Sequence, residues 1–217
     1  MDTSLPIYYI TLLRHGESVG NAEGYHQGQA DFELTETGRL QVRALAKHWQ
    51  AKELHFDAII SSPLRRTRQS AEILAEILPA PLEFDPVWME LDNGVLAGLK
   101  HEVASEKYPP PDFRNIYTPI GQTGESEWEL FLRSGRAVSS LLQRPPGRYL
   151  VVSHGGILNM ALRAILGITP QATWQGASFR FPNTASAFLE YHAYQHRWVL
   201  IQFNDQAHWP GEPGTGG

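Results

Sequence analysis

Three short apolar runs in this chain stop at clusters of ionisable residues. Ile7 to Leu13 ends at Arg14-His15-Gly16-Glu17, and Phe56 to Ile60 ends at Ser61-Ser62 with Arg65 and Arg66 just beyond. Tyr149 to Val152 ends at Ser153-His154-Gly155. Brought to one place, two histidines and two or three arginines form a site for a small dianion. Phosphate is the obvious ligand, because guanidinium groups match its oxygens. A glycine after each histidine lets the backbone approach a ligand closely, and a helix starting after Gly155-Gly156 would add N–H donors. Taken singly, Arg-His-Gly or Ser-His-Gly after a strand is an ordinary turn. Their joint appearance on separate runs is what points to chemistry.

Such convergence needs parallel strands, since open α/β sheets bind ligands beyond the carboxyl ends of their strands. The three runs are apolar throughout, as suits central strands covered on both faces. Helical patterns lie between them. Thr35 would cap a helix with Leu40, Ala44, Leu45 and Trp49 on its apolar face. A second follows Pro63, through Ala71, Ile73, Leu74, Ile77 and Leu78. Glu125 to Leu142 offers Trp128, Phe131, Leu132, Val138, Leu141 and Leu142, and Ile157 to Leu166 stops at Gly167. Ala185 to Tyr191 and Trp198 to Phe203 read as a hairpin. The alternation predicts an α/β fold, a three-layer αβα sandwich around a mostly parallel sheet.

Length and composition agree with one domain. At 217 residues, roughly 150 per domain gives about 1.4 units, and about 70% of the unfolded surface would be buried without staples. We expect a single domain over 1–207, with 100–124 as a lid-like excursion and 208–217 as a flexible Pro/Gly-rich tail. No repeat of solenoid length is present. The absence of cysteine excludes disulfides, thiolate nucleophiles and zinc ribbons within the chain. The net charge of −5 argues against general nucleic-acid binding but not against a locally positive pocket. The first residues carry no positive charge, and Arg14 interrupts their apolar stretch, so neither a signal peptide nor a membrane partner is expected. A cytoplasmic location is the default.

Two competing chemistries fail on spacing. Ser153 and His154 are adjacent on an extended run, so they point to opposite faces, and no G-x-S-x-G elbow exists. Nine histidines are available, yet no H-E-x-x-H or EF-hand spacing occurs. His192, His196 and His101 read as solvated loop residues.

The order of spaced motifs is specific. It runs Leu13-Arg14-His15-Gly16-Glu17-Ser18 with Asn21, Gln27-Gly28, Leu34-Thr35-Glu36-Thr37-Gly38, and Ser61-Ser62-Pro63-Leu64-Arg65-Arg66 with Gln69-Ser70-Ala71-Glu72. Glu90-Leu91-Asp92-Asn93-Gly94, Gly124-Glu125-Ser126, Val152-Ser153-His154-Gly155-Gly156 and Asn183-Thr184-Ala185 follow. In these the chain resembles the histidine phosphatase superfamily, the phosphoglycerate mutase-like proteins, from Leu12 to about Ala187. The resemblance implies that His15 is the nucleophile, taking the phosphoryl group as a phosphohistidine. Arg14, Arg66 and His154 would surround the phosphoryl oxygens, with Arg66 rather than Arg65 at the family's arginine. Glu90 stands where many members carry the general acid, with Asp92 as its substitute. Asn21, Gln27, Gly28, Gly155, Lys100 and Arg114 are the candidate substrate-binding residues. No metal or other cofactor is implied, and the partner would be a small phosphorylated metabolite.

The resemblance leaves the reaction open between hydrolase and mutase. Mutases of the family place an adjacent Arg pair where this chain reads Pro111-Asp112-Phe113-Arg114-Asn115, and many members have Arg at the position of Tyr25. Thr67 and Leu96-Ala97-Gly98 also depart from the usual pattern. Fewer cations favour hydrolysis of a less charged, aromatic or bulky ester, with Tyr108, Phe113, Tyr117, Trp128 and Trp88 as candidate pocket walls. Lys100 and His101 keep phosphoglycerate mutase as the alternative. A non-catalytic phosphate binder is the third class.

Overall fold

The computed structural model describes residues 6–209. Its six strands are β1 (Ile7–Arg14), β2 (Ala58–Ser61), β3 (Leu82–Phe84), β4 (Arg148–Ser153), β5 (Ser186–His192) and β6 (Arg197–Asp205). They form one sheet in the order β3-β2-β4-β1-β5-β6. The first four run parallel, and β5 is antiparallel to both β1 and β6. The helices are α1 (Val19–Ala22), α2 (Glu36–Ala51), α3 (Arg65–Ile77), α4 (His101–Lys107), α5 (Glu127–Leu142) and α6 (Gly155–Leu166).

Strand side chains alternate between two cores, which makes the three layers. Leu13, Ile59, Leu150 and Val152 pack with Val42, Leu45, Trp49 and Leu74 of α2 and α3. Leu12, Ile60 and Val151 pack with Leu130, Ala137, Leu158 and Ala161 of α5 and α6. Helix ends follow local chemistry. Thr35 Oγ1 caps α2 through the Gly38 N–H at 3.0 Å, Ser126 and Glu129 form a capping box on α5, and α6 stops at Gly167 with φ +70°. Pairing register then aligns the strand ends. Arg14 lies opposite Ser153 and Ser61 opposite Val152, so all three polar clusters emerge at one level.

Several expectations need correction. The core face of α5 is Leu130, Ser134, Ala137, Val138 and Leu141, while Leu132 is exposed. Of the expected face, Val138 and Leu141 are buried and Phe131 and Leu142 pack against the core, while Ser134, which the apolar pattern passes over, buries like an alanine by donating to Leu130 O at 2.7 Å. Leu40 on α2 is likewise exposed. The short edge strand β3 lies between prolines and was not expected. The 100–124 segment is not irregular throughout, since it contains α4. His208 is bonded to Thr184 Oγ1 at 2.9 Å, so the ordered chain continues past 207; the expected tail beyond Trp209 lies outside the described residues.

Candidate active site

His15 is buried just beyond β1, with its backbone N–H on Ser153 O at 3.0 Å. Its Nδ1 lies 2.6 Å from Gly16 O. A carbonyl only accepts, so Nδ1 carries the proton and Nε2 keeps a free lone pair. Burial first, then Arg66 and Arg14, hold the His15 pKa well below its ordinary value, against the opposing Gly16 bond. The ring is therefore neutral at neutral pH, the form in which an imidazole nitrogen can act as a nucleophile.

The same reasoning fixes His154. Arg66 Nε–H donates to His154 Nδ1 at 3.1 Å, so His154 Nε2–H donates to Ser62 Oγ at 2.8 Å. Burial, Arg66 and His15 push its pKa well down as well. The two imidazoles meet edge to face, centroids 5.2 Å apart. Ser62 thus has a supporting role that the sequence reading named only as part of a polar cluster.

The cations are locked from behind. Arg66 Nη1 and Nη2 donate to Ala30 O at 2.8 Å and Gly28 O at 2.7 Å. Burial lowers its pKa to about 10, with Glu90 opposing, so it stays charged at neutral pH. Arg14 Nη1 donates to Phe181 O at 2.7 Å, while its Nε is buried with no partner. Burial lowers its pKa too, opposed by Glu90. A buried guanidinium with an open N–H is a donor in wait of an oxyanion.

Glu90 sits on the end of α6. Its Oε1 accepts from the Leu91 and Ile157 N–H groups at 2.9 and 3.1 Å, and its Oε2 accepts from Gly156 N–H at 3.0 Å. A Cβ on Gly156 would lie 2.6 Å from Glu90 Oε1, so only glycine admits the carboxylate there. This corrects the expected row of free helix donors, because two of them hold Glu90. The Gly155 backbone faces the Arg14 guanidinium instead, with Arg14 Cζ 3.7 Å from where a Cβ would be.

The remaining expected residues divide. Asn183 Nδ2 donates to His15 O at 3.0 Å and Asn21 Oδ1 at 3.2 Å, tying Asn21 to the His15 backbone. Gln27 Oε1 accepts from Ser18 Oγ at 2.6 Å, and Gly28 supports Arg66. Asp92 Oδ1 accepts from Gly94 N–H at 2.8 Å and shapes a turn. Ser153 Oγ donates to Trp88 O at 2.7 Å, away from His154. Arg65 is half-exposed and pairs with Glu33.

A cavity of about 810 Å³ begins one residue past Glu90, lined from Leu91 and Asn93 to Tyr108, Arg114, Ile120 and Trp174, with none of Arg14, His15, Arg66, Glu90 and His154 in its wall. Asn93 packs against Gly28, whose carbonyl holds Arg66, since a Cβ on Gly28 would stand 3.0 Å from the Asn93 Cβ. His26, Lys107 and Arg114 are the basic groups of the lining, and no carboxylate is part of it. Lys100 is not part of the lining; it is exposed, paired with the Tyr25 backbone, its Nζ 5.4 Å from the Tyr25 ring. Of the expected aromatic walls only Tyr108 serves. Phe113 and Tyr117 are exposed, Trp128 stacks between Tyr117 and Phe131, and Trp88 is core. Trp174 replaces them from a loop 66 residues beyond Tyr108, a contact that no local pattern encodes.

Comparison with known proteins agrees with this fold. Residues 10–206 match the family described as "Histidine phosphatase superfamily (branch 1)". The chain is 36% identical over 208 residues to a protein of Escherichia fergusonii named "Probable phosphoglycerate mutase GpmB", covering 92% of this chain and 94% of that protein. A mycobacterial glucosyl-3-phosphoglycerate phosphatase solved with VO3 superposes with TM-score 0.76 at 28% identity, over 91% of this chain and 98% of that one. A phosphoserine phosphatase from Entamoeba histolytica, in complex with 3-phosphoglyceric acid, shares the fold with TM-score 0.75 at 24% identity, over 93% and 98%.

Proposed function

Because the chain belongs to the histidine phosphatase superfamily, we propose that it is a metal-independent phosphomonoester hydrolase working through a phosphohistidine on His15. The observation that carries this reading is the free Nε2 of a neutral, buried His15 set between two locked arginines. In the first step Nε2 attacks phosphorus in line, the N–P bond forms and the P–O bond to the alcohol breaks. Charge spreads over three equatorial oxygens in a loose transition state, so fixed donors are the main aid. Arg14 and the two N–H groups of Arg66 not already given to Gly28, Ala30 and His154 would be those donors.

Glu90 gives the departing alkoxide its proton. Oε1 already accepts two N–H bonds and Oε2 one, so Oε2 has the lone pair on which that proton would ride. In the second step Glu90 takes a proton from water, the new O–P bond forms and the N–P bond breaks. Inorganic phosphate leaves and His15 is neutral again.

The cavity supports a substrate alcohol larger than a three-carbon acid. At about 810 Å³, apolar with Arg114 and Lys107 on its wall, it fits a bulky alcohol carrying an anionic group. Phosphoglycerate mutase is the second reading, favoured by the relative of that name. The lone Arg114, where mutases have a pair, weighs against it.

The test is phosphate release in EDTA from p-nitrophenyl phosphate and 3-phosphoglycerate side by side. Rapid release is expected from wild type, and His15→Ala should lose at least about 10⁴-fold in kcat. Wild-type turnover by His15→Ala would end the phosphohistidine mechanism. Isomerisation of 3-phosphoglycerate without release would select the mutase.

A further inference from the structure

Outside the proposed phosphoryl site, the chain buries a carboxylate with one oxygen left unpartnered. Glu127, the first residue of α5, is fully buried. Its Oε1 accepts the Trp174 N–H at 3.3 Å, and its Oε2 has no hydrogen-bond partner. The cations acting on it are Arg163, buried near the end of α6, and Arg114 on the cavity wall. Each keeps a buried Nε unpartnered. Burial pushes the Glu127 pKa up, opposed by the Trp174 N–H and then by Arg163 and Arg114. A carboxyl in such surroundings is costly to retain for packing alone.

Backbone geometry supplies a second observation at the same place. Thr173 and Trp174 both have positive φ, 56° and 55°, in the left-handed region that side chains other than glycine avoid. Two such residues in succession persist only where their surroundings over-determine them. Here the determinants are identifiable. Trp174 N–H is held by Glu127, Thr173 N–H donates to Arg114 O at 2.8 Å, and Arg114 N–H donates to Thr173 Oγ1 at 3.3 Å. The strained pair is clamped between the carboxylate and the Arg114 backbone, and Trp174 and Arg114 both line the cavity.

We propose that Glu127 is a positioning residue for substrate selection: it clamps the Thr173–Trp174 strap onto Arg114, and so fixes where the Arg114 guanidinium meets the anionic group of the alcohol. The proposal rests on the reading above that this cavity takes the alcohol half of a phosphomonoester. Glu127 touches neither phosphate nor nucleophile, so its effect should fall on ligands that extend into the cavity and spare those that do not.

Equilibrium binding separates these effects from turnover. Inorganic phosphate, benzylphosphonate and 4-carboxybenzylphosphonate would be titrated by calorimetry into wild type, Glu127→Ala, Glu127→Gln, Arg114→Gln and the Glu127→Ala/Arg114→Gln pair. In wild type the added carboxylate should tighten binding about tenfold over benzylphosphonate, as a charge-assisted bond does. Glu127→Ala should abolish that gain while leaving the phosphate Kd within about twofold. Glu127→Gln, which keeps an oxygen for the Trp174 N–H, should restore most of it. The pair should be no worse than Arg114→Gln alone, since both act on one contact. If Glu127→Ala is insoluble, Glu127→Asp carries the same expectation, being one methylene short of Trp174. Equal weakening of all three ligands, an intact carboxylate gain in Glu127→Ala, or strict additivity would each overturn the proposal. A wild type that binds phosphate but shows no carboxylate gain overturns this inference alone. One that binds no phosphate overturns the hydrolase reading and this with it.

Discussion

Arg66 and Arg114 represent two regions of the molecule that are held in different ways. Arg66 is 1% exposed, and three of its five N–H groups hold it to Gly28 O, Ala30 O and His154 Nδ1. It stands in the first turn of a helix that follows a central strand, so sheet register sets its place. Arg114 lies in a loop, its backbone paired with Thr173 and its Nε unpartnered. Its place depends on contacts between segments far apart in sequence. The contrast teaches that the phosphoryl site is fixed by elements the whole core requires, whereas the cavity beside it can change without disturbing the sheet.

Glu90 stands where the two regions meet, so it should show the largest effect that depends on the leaving group. Glu90→Gln should slow alkyl phosphate esters by about 10² to 10⁴-fold and p-nitrophenyl phosphate far less, because an aryl oxide departs without a proton. Gly156→Ala should reproduce the pattern in weaker form, since its Cβ would displace the Glu90 carboxylate from the end of α6. Comparing kcat on the two ester classes checks both. Equal slowing on both would remove Glu90 from the proton transfer and assign it to packing.

The next effect separates the arginines. Arg66→Ala should cost about 10² to 10³-fold in kcat/KM on p-nitrophenyl phosphate, the range for removing one preorganised donor to a developing oxyanion. Arg66→Lys should not rescue it, because an ammonium cannot reach Gly28 O, Ala30 O and His154 in one plane. Arg114→Ala should cost far less on this substrate, which carries no second anion. Comparable losses at both positions would break the distinction between rim and cavity.

The same distinction explains what the sequence disclosed. His15, Arg14, Arg66 and His154 were legible because each follows an apolar strand by zero to five residues, and parallel strands bring such ends together. The family resemblance then added Glu90, which lies on no strand. The layers were legible from periodicity, but the precise helix faces were not. Ser134 and Ala137 carry little apolar signal, yet they are buried, while Leu40 and Leu132 carry much and are exposed. The cavity was the least legible. Trp174 reaches it through a backbone conformation that its residue type disfavours, and nothing in the local sequence sets Glu127 apart from any acid in a helix's first turn.

Arg65 gives the smallest effect and the strictest control. It adjoins Arg66 on α3, but its side chain points outward to pair with Glu33 at 3.0 Å, both groups about half-exposed. A pair of that kind contributes roughly 0.2–1 kcal/mol and is screened by salt. The Arg65 N–H meets Asp31 Oδ1 at 2.6 Å through the backbone, and alanine keeps that bond. Arg65→Ala should therefore lower stability by less than about 1 kcal/mol, measured by urea unfolding, with most of the loss gone in high salt. Its kcat/KM should stay within about twofold of wild type, because nothing it touches reaches His15. A large loss of activity in Arg65→Ala would mean that the helix turn, rather than the locked guanidinium of Arg66, organises the phosphoryl site.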